Sequence, residues 1–175
     1  LVMKRFGLLL VLFFSIFFFS CDEEEIIEGC TDPIACNYNS EATDLLVGSC
    51  DYPLDSVLEI VYSEDYVTGL INEDVISHIH LRNSSCESVE IKARKYFDDT
   101  EESSAYFCFA DVCFGSTILT SPTTLFLESY EVDDYFKGYF NSSVEGIFEV
   151  TYRFYLNDNP SINIEKTITY EITSS

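Results

Sequence analysis

The sequence predicts an all-β fold, an antiparallel β-sandwich of about eight strands behind a small cysteine-rich module. Three observations carry that expectation. Tyr, Phe, Ile, Val and Thr are plentiful while strong helix formers are scarce. From Asp55 onward apolar residues recur with a period of two, as in Val89-Glu90-Ile91-Lys92-Ala93-Arg94. Clusters of Asn, Ser, Asp and Pro break the pattern at short intervals. At 175 residues there is room for one such domain and an appendage.

The elements follow in order. Met3-Lys4-Arg5 is a basic start, with Leu1 and Val2 expected to precede the true initiator. Phe6 to Phe19 is an apolar run broken only by Gly7 and Ser15. As a helix it spans about 21 Å, short of the roughly 30 Å hydrocarbon core, so it reads as a cleaved signal peptide over residues 1–20. The run ends in Phe18-Phe19-Ser20-Cys21, which resembles a bacterial lipobox. That resemblance implies thioether lipidation of Cys21, with acyl chains anchoring the mature chain to a membrane. Ordinary cleavage near Ser20 is the competing reading.

Residues 21–28 form an acidic tether. Asp22-Glu23-Glu24-Glu25 resembles the surface-export signal of lipoproteins in gliding, type IX-secreting bacteria. It implies a lipid-anchored position on the outer-membrane surface. Under the enteric sorting rule, Asp directly after the lipidated Cys would instead retain the protein in the inner membrane.

Residues 29–54 are the module, with GCTDPIACNYNSEATDLLVGSCDYP over 29–53. A polar segment this short cannot bury a core and needs a staple. Cys30 and Cys50 bracket it and form the expected pair, worth roughly 3 kcal/mol for a loop of about twenty residues. The stretch resembles the repeat GCTDPxAxNYNxxATxDDGSCxY of surface and secreted proteins in the same bacteria. Leu46-Val47 replaces the repeat's Asp-Asp. A calcium loop thereby loses its best ligands, and Asp32, Asn37, Asn39 and Asp44 are expected to form turns. Weak Ca2+ binding is the one metal partner left open.

Residues 55–175 make the sandwich. Strands are expected near 57–62, 75–82, 89–94, 104–109, 124–129, 135–140, 147–156 and 162–172, with turns at Asn83-Ser84-Ser85, Ser121-Pro122, Asn141-Ser142-Ser143 and Asn157-Asp158-Asn159-Pro160. Phe148, Val150, Tyr152, Phe154 and Leu156 are assigned inward, Glu149, Thr151 and Arg153 outward. The pattern suits an immunoglobulin-like arrangement. Tyr106-Phe107-Cys108-Phe109, Val112-Cys113-Phe114, Ser121-Pro122 and Gly146 to Tyr155 also resemble a β-sandwich domain with an FCW…CY signature found beside type IX sorting tails. Phe109 stands where that family has Trp, and the chain ends at Ser175 without such a tail, consistent with lipid anchoring.

Cys108 and Cys113 are expected to bridge a tight hairpin, since export favours disulfides over zinc. Cys36 and Cys86 remain, either bridging module to sandwich or as two free thiols. His78 and His80 share one face of a strand, and a metal site there would need a third ligand. The acidic clusters Asp98 to Glu102 and Glu131 to Asp134 are assigned to solvated loops.

The formal charge is −22, or −24 once Lys4 and Arg5 are removed with the leader. Phosphate backbones and anionic lipids are therefore poor partners. No Gly-rich phosphate loop, nucleophile elbow or HExxH helix occurs. The expectation is a non-enzymatic, cofactor-free module for adhesion, capture of a protein or glycan ligand, or envelope assembly. The alternative is a carbohydrate-binding or hydrolytic accessory of nutrient uptake.

Overall fold

The computed structural model describes residues 26–45, 48–53 and 56–174; the leader and Cys21 lie outside the described residues. The strands are β1 (Glu28–Gly29), β2 (Asp44–Leu45), β3 (Leu58–Ser63), β4 (Tyr66–Leu70), β5 (Val75–Asn83), β6 (Val89–Tyr96), β7 (Ser103–Phe109), β8 (Val112–Phe114), β9 (Leu125–Leu127), β10 (Val132–Asp133), β11 (Lys137–Ser142), β12 (Gly146–Leu156) and β13 (Asn163–Thr173). Among the described residues there is no helix, and the all-β expectation holds.

Two sheets face each other. In the first, β5 is flanked by β3 on one edge and by β10 and β11 on the other, and β7 and β8 continue beyond β11. The second runs β4-β13-β12-β6-β9. The expected strand count of about eight is low, because β4, β8 and β10 are short and their apolar alternation is too brief to stand out. The sandwich is also not wholly antiparallel, since β4 pairs with β13 in parallel. The turn assigned to Asn141-Ser142-Ser143 begins inside β11. Asn83 ends β5 fully buried, donating to the carbonyls of Glu87 (2.7 Å) and Glu128 (2.9 Å) and so tying the β5–β6 turn to β9.

The period-two pattern decides which side chains meet. Ile79 and Leu81 from β5 and Phe107 and Phe109 from β7 face Ile91, Val150, Phe154, Ile168 and Ile172, all buried. Burying each such side chain stabilises by about 1.5–3 kcal/mol. Phe136, between β10 and β11, fills the middle, with its ring 5.0 Å from Tyr152 and 4.9 Å from Phe154, both edge-on. Aromatic edges prefer aromatic faces because of the ring quadrupole.

One polar cluster sits in this core. Tyr152 and Tyr170 are fully buried, and their hydroxyls lie 3.4 Å apart. The Tyr170 hydroxyl is 2.7 Å from Ser77 Oγ, which also donates to the Gly138 carbonyl at 3.4 Å. Gly138 is required here, because a Cβ would come within 2.7 Å of Tyr152 Cζ and 2.8 Å of Ser77 Oγ.

At the β7–β8 hairpin Ala110 and Asp111 both take positive φ (51° and 61°), the geometry that matches hairpin twist. This sets Cys108 directly opposite Cys113. In the module, only Cys30 and Ala35 are buried among the described residues. Its order comes from hydrogen bonds such as Asn39 N–H to the Cys30 carbonyl (2.9 Å) and Thr43 N–H to the Ile27 carbonyl (2.9 Å).

Candidate functional site

Among the described residues, six cysteines form three bonded pairs: Cys30 with Cys50, Cys36 with Cys86, and Cys108 with Cys113. The second ties the module to the middle of the β5–β6 connection across 50 residues of chain. The Tyr130 hydroxyl adds a hydrogen bond to the Tyr52 carbonyl. Cys21, the expected lipidation site, lies outside the described residues.

The module's Asx oxygens serve its own backbone. Asp32 Oδ1 accepts from Ile34 N–H (3.1 Å) and Oδ2 from the Tyr52 hydroxyl (2.9 Å). Asn37 Oδ1 accepts from Asp51 N–H (2.9 Å), and Asn39 Oδ1 from Glu41 N–H (3.0 Å). Asp44 is exposed on β2. Among the described residues no three His, Cys, Asp or Glu side chains converge as a metal site.

His78 and His80 point away from the core on β5. His78 Nδ1 is 3.3 Å from Glu64 Oε1, and the Tyr62 ring packs tilted against His80 with centroids 4.7 Å apart. Burial pushes the Glu64 carboxyl up. The hydrogen bonds from the His78 backbone and ring and from Tyr62 outweigh this and hold it below the usual carboxylate range. The pair therefore contributes to a polar surface cluster with the Glu64 carboxylate, from the connection between β3 and β4.

Asp98 to Glu102 is an exposed connection between β6 and β7, as assigned. Asp99 accepts from Ala105 N–H (3.1 Å) and lies 3.4 Å from Lys95 Nζ. Lys95 is fully buried on the inward phase of β6, and its ammonium also donates to the carbonyls of Ser116 (2.8 Å) and Ala105. Asp133 corrects the loop assignment of the second cluster, because it forms part of β10 and is half-buried. Burial pushes its carboxyl up, against hydrogen bonds from Tyr135 and Phe136 N–H.

Three surface features were not singled out by sequence reasoning. On the first sheet, Tyr106 and Tyr139 are cross-strand partners whose rings stack at 4.5 Å, with Ile76 beyond Tyr139. The Tyr106 hydroxyl donates to Asp74 (3.0 Å), as does Asn141 (3.2 Å). Burial first, and then that carboxylate, push the Tyr106 hydroxyl up to about 12. On the second sheet, Arg94 of β6 and Arg153 of β12 lie directly opposite each other. Each guanidinium lies over the tyrosine two residues on in its own strand, Arg94 at 5.0 Å from the Tyr96 centroid and Arg153 at 5.9 Å from that of Tyr155. The available signal was the spacing Arg-x-Tyr, which occurs on both strands. Third, an open concavity of about 520 Å³ lies beside the Cys36–Cys86 bridge, lined by Cys86, Glu87, Glu90, Phe126 and Leu156 among others.

Fold and surface thus define a two-sheet β-sandwich carrying a disulfide-stapled module. No protein-family model matches the chain. No curated protein matches it either. Among solved structures, it is similar to a PapD-like domain (domain 7) of human CEP192, at 15% identity and a TM-score of 0.41, covering 77% of this chain and 97% of that one. It is similar to the N-terminal domain of PorA at 11% identity and a TM-score of 0.47, covering 68% and 98%. A conjugative transposon lipoprotein from Bacteroides eggerthii gives 13% identity and a TM-score of 0.42, covering 65% and 93%. At these scores no functional conclusion rests on any of the three.

Proposed function

We propose that this protein is a non-enzymatic, lipid-anchored module of the bacterial cell surface, serving adhesion, ligand capture or envelope assembly. The observation that carries this reading is the Cys36–Cys86 bond, which couples the chain's N-terminal module to the sandwich. The tether following Cys21 leads into that module. An acylated Cys21 would therefore hold a stapled plinth, and the two sheets would stand above it with their outer faces free for a partner.

Two experiments test the two halves of the reading. Metabolic labelling with a fatty acid should mark the wild-type chain and leave Cys21→Ser unlabelled. Protease shaving of intact cells should degrade the protein. Equal labelling of both chains would refute anchoring through Cys21, and survival of the protein would refute surface display.

A second reading, a carbohydrate-binding accessory, is favoured by the outward-facing row of exposed Ile76 and half-buried Tyr139 and Tyr106 beside Asp74 and Asn141. Aromatic faces beside hydrogen-bonding side chains suit sugar rings. Against it, the larger aromatic set, including Phe107, Phe109, Phe136, Phe140 and Phe154, fills the core. Retention on immobilised polysaccharide that is lost in Tyr139→Ala would favour this second reading.

A further inference from the structure

The opposed pair Arg94 and Arg153 is out of place on purely structural grounds. The chain carries 9 basic against 31 acidic residues, yet two of the basic ones are set directly across from each other. Like charges in that arrangement destabilise a sheet. Among the described residues no carboxylate pairs with Arg94. Arg153 has only Glu165, whose Oε1 stays 3.8 Å from Nε. That Nε is buried and donates to nothing, while Nη2 donates to the Pro160 carbonyl at 3.0 Å. Buried donors without a partner are rare in folded proteins and call for an explanation.

The surroundings supply one. Arg94, Tyr96, Arg153, Tyr155 and Pro160 line a shallow concavity of about 210 Å³. The Tyr96 ring lies 5.0 Å from the Arg94 guanidinium and the Tyr155 ring 5.9 Å from that of Arg153, within cation–π reach. Among the described residues Arg94 keeps its N–H groups unpaired, while Arg153 has committed Nη2 to the Pro160 carbonyl. Neighbouring strands are about 4.8 Å apart, so two forks on opposed residues reach a common anion. Carboxylates and phosphates are the groups that such forks bind bidentately.

We propose that Arg94 and Arg153, framed by Tyr96 and Tyr155, form a binding site for a single oxyanion, a carboxylate or a phosphate, carried by a small ligand. The restriction to one anion follows from the rest of the molecule. Glu90 and Glu149 lie on the same outer face of β6 and β12. A polyanion would meet these, Glu165 beside Arg153 and the overall negative field, whereas screening over about 8 Å at physiological salt weakens the more distant carboxylates for a single small anion. The inference does not depend on how the chain is anchored.

The test uses the full chain in detergent, titrated with sodium glucuronate, glucose 6-phosphate or neutral glucose. Arginine Nε–Hε resonances and calorimetry are the readouts. Saturable shifts at Arg94 and Arg153 are expected with the acidic sugars, with dissociation constants on the order of 1 mM and no response at Arg82, which is paired with Glu59. A response to glucuronate alone assigns a carboxylate, to glucose 6-phosphate alone a phosphate, and to both an oxyanion of either kind. Arg94→Gln and Arg153→Lys should each weaken binding at least about tenfold. The second keeps the charge and loses the fork, and Lys137→Gln should change nothing. Arg94→Gln alters an exposed side chain, so it reports on the site even if Arg153→Lys perturbs folding. Equal shifts with neutral glucose, shifts that match those at Arg82, or unaltered binding in both arginine variants would overturn the proposal.

Discussion

Gly138→Ala is the sharpest probe of the core. The added methyl would lie against the Tyr152 hydroxyl, 2.7 Å from its Cζ and 2.8 Å from Ser77 Oγ. Comfortable carbon contacts are about 3.5–4.0 Å, so the overlap is close to 1 Å on two sides. Neither neighbour can retreat, because Tyr152 is fully buried on β12 and Ser77 is fully buried on β5. The two sheets must then separate locally, at about 1–3 kcal/mol, as for other overpacked cores. For a sandwich of this size that lowers the melting temperature by roughly 3–6 °C per kcal/mol.

Scanning calorimetry of Gly138→Ala, Tyr152→Phe and the double variant measures the coupling. Tyr152→Phe alone loses a buried hydroxyl contact to Tyr170 and costs about 1 kcal/mol. The double variant should be more stable than the two losses summed, since the atom nearest the new methyl is gone. An unchanged melting temperature in Gly138→Ala, or losses that simply add, would refute the close-approach argument.

Three further outcomes are expected. Lys95→Met strands the Ala105 and Ser116 carbonyls in the interior; a loss of about 1–3 kcal/mol should appear as a lower urea midpoint. Cys36→Ser/Cys86→Ser opens a loop of 50 residues, removing about 4 kcal/mol of chain-entropy stabilisation. Limited proteolysis should then cut the module while the sandwich survives. Burial raises the hydroxyl pKa of Tyr152, together with the neighbouring Tyr170, and burial likewise raises that of Tyr170. Their folded values exceed the unfolded one of 10.0, so the unfolded state sheds protons first. Stability should be intact below pH 10 and fall as pH rises above it. The depressed pKa of Lys95, caused by burial, acts in the opposite sense up to 10.5, and Tyr170→Phe should flatten the alkaline decline.

Much of the architecture was legible because side chains on the long strands β5, β6 and β12 alternate between the two faces. Val150, Tyr152, Phe154 and Leu156 turn inward as their spacing requires, and His78 and His80 turn outward. The same rule extended one step along β6 puts Lys95 inside, and there composition misleads. A lysine enters a core only when carbonyls and a carboxylate from other strands converge on it, and those come from Ala105, Ser116 and Asp99. Asp133 was misplaced for a related reason, as its acidic neighbours suggest solvent while the chain turns to bury it.

What the sequence determined by itself was whatever depends on neighbours along the chain: the alternation that makes strands, the apolar run before Cys21, the bracketing of the module by Cys30 and Cys50. What only the tertiary structure decided was which strands lie side by side. Register set Arg94 across from Arg153 and Tyr106 across from Tyr139, and it drew Cys36 to Cys86 over 50 residues. Hydrophobic burial is non-directional, so it drives the sheets together without naming their order. The pairing of distant strands, and every surface site built on it, is fixed only when backbone hydrogen bonds and core packing are satisfied together.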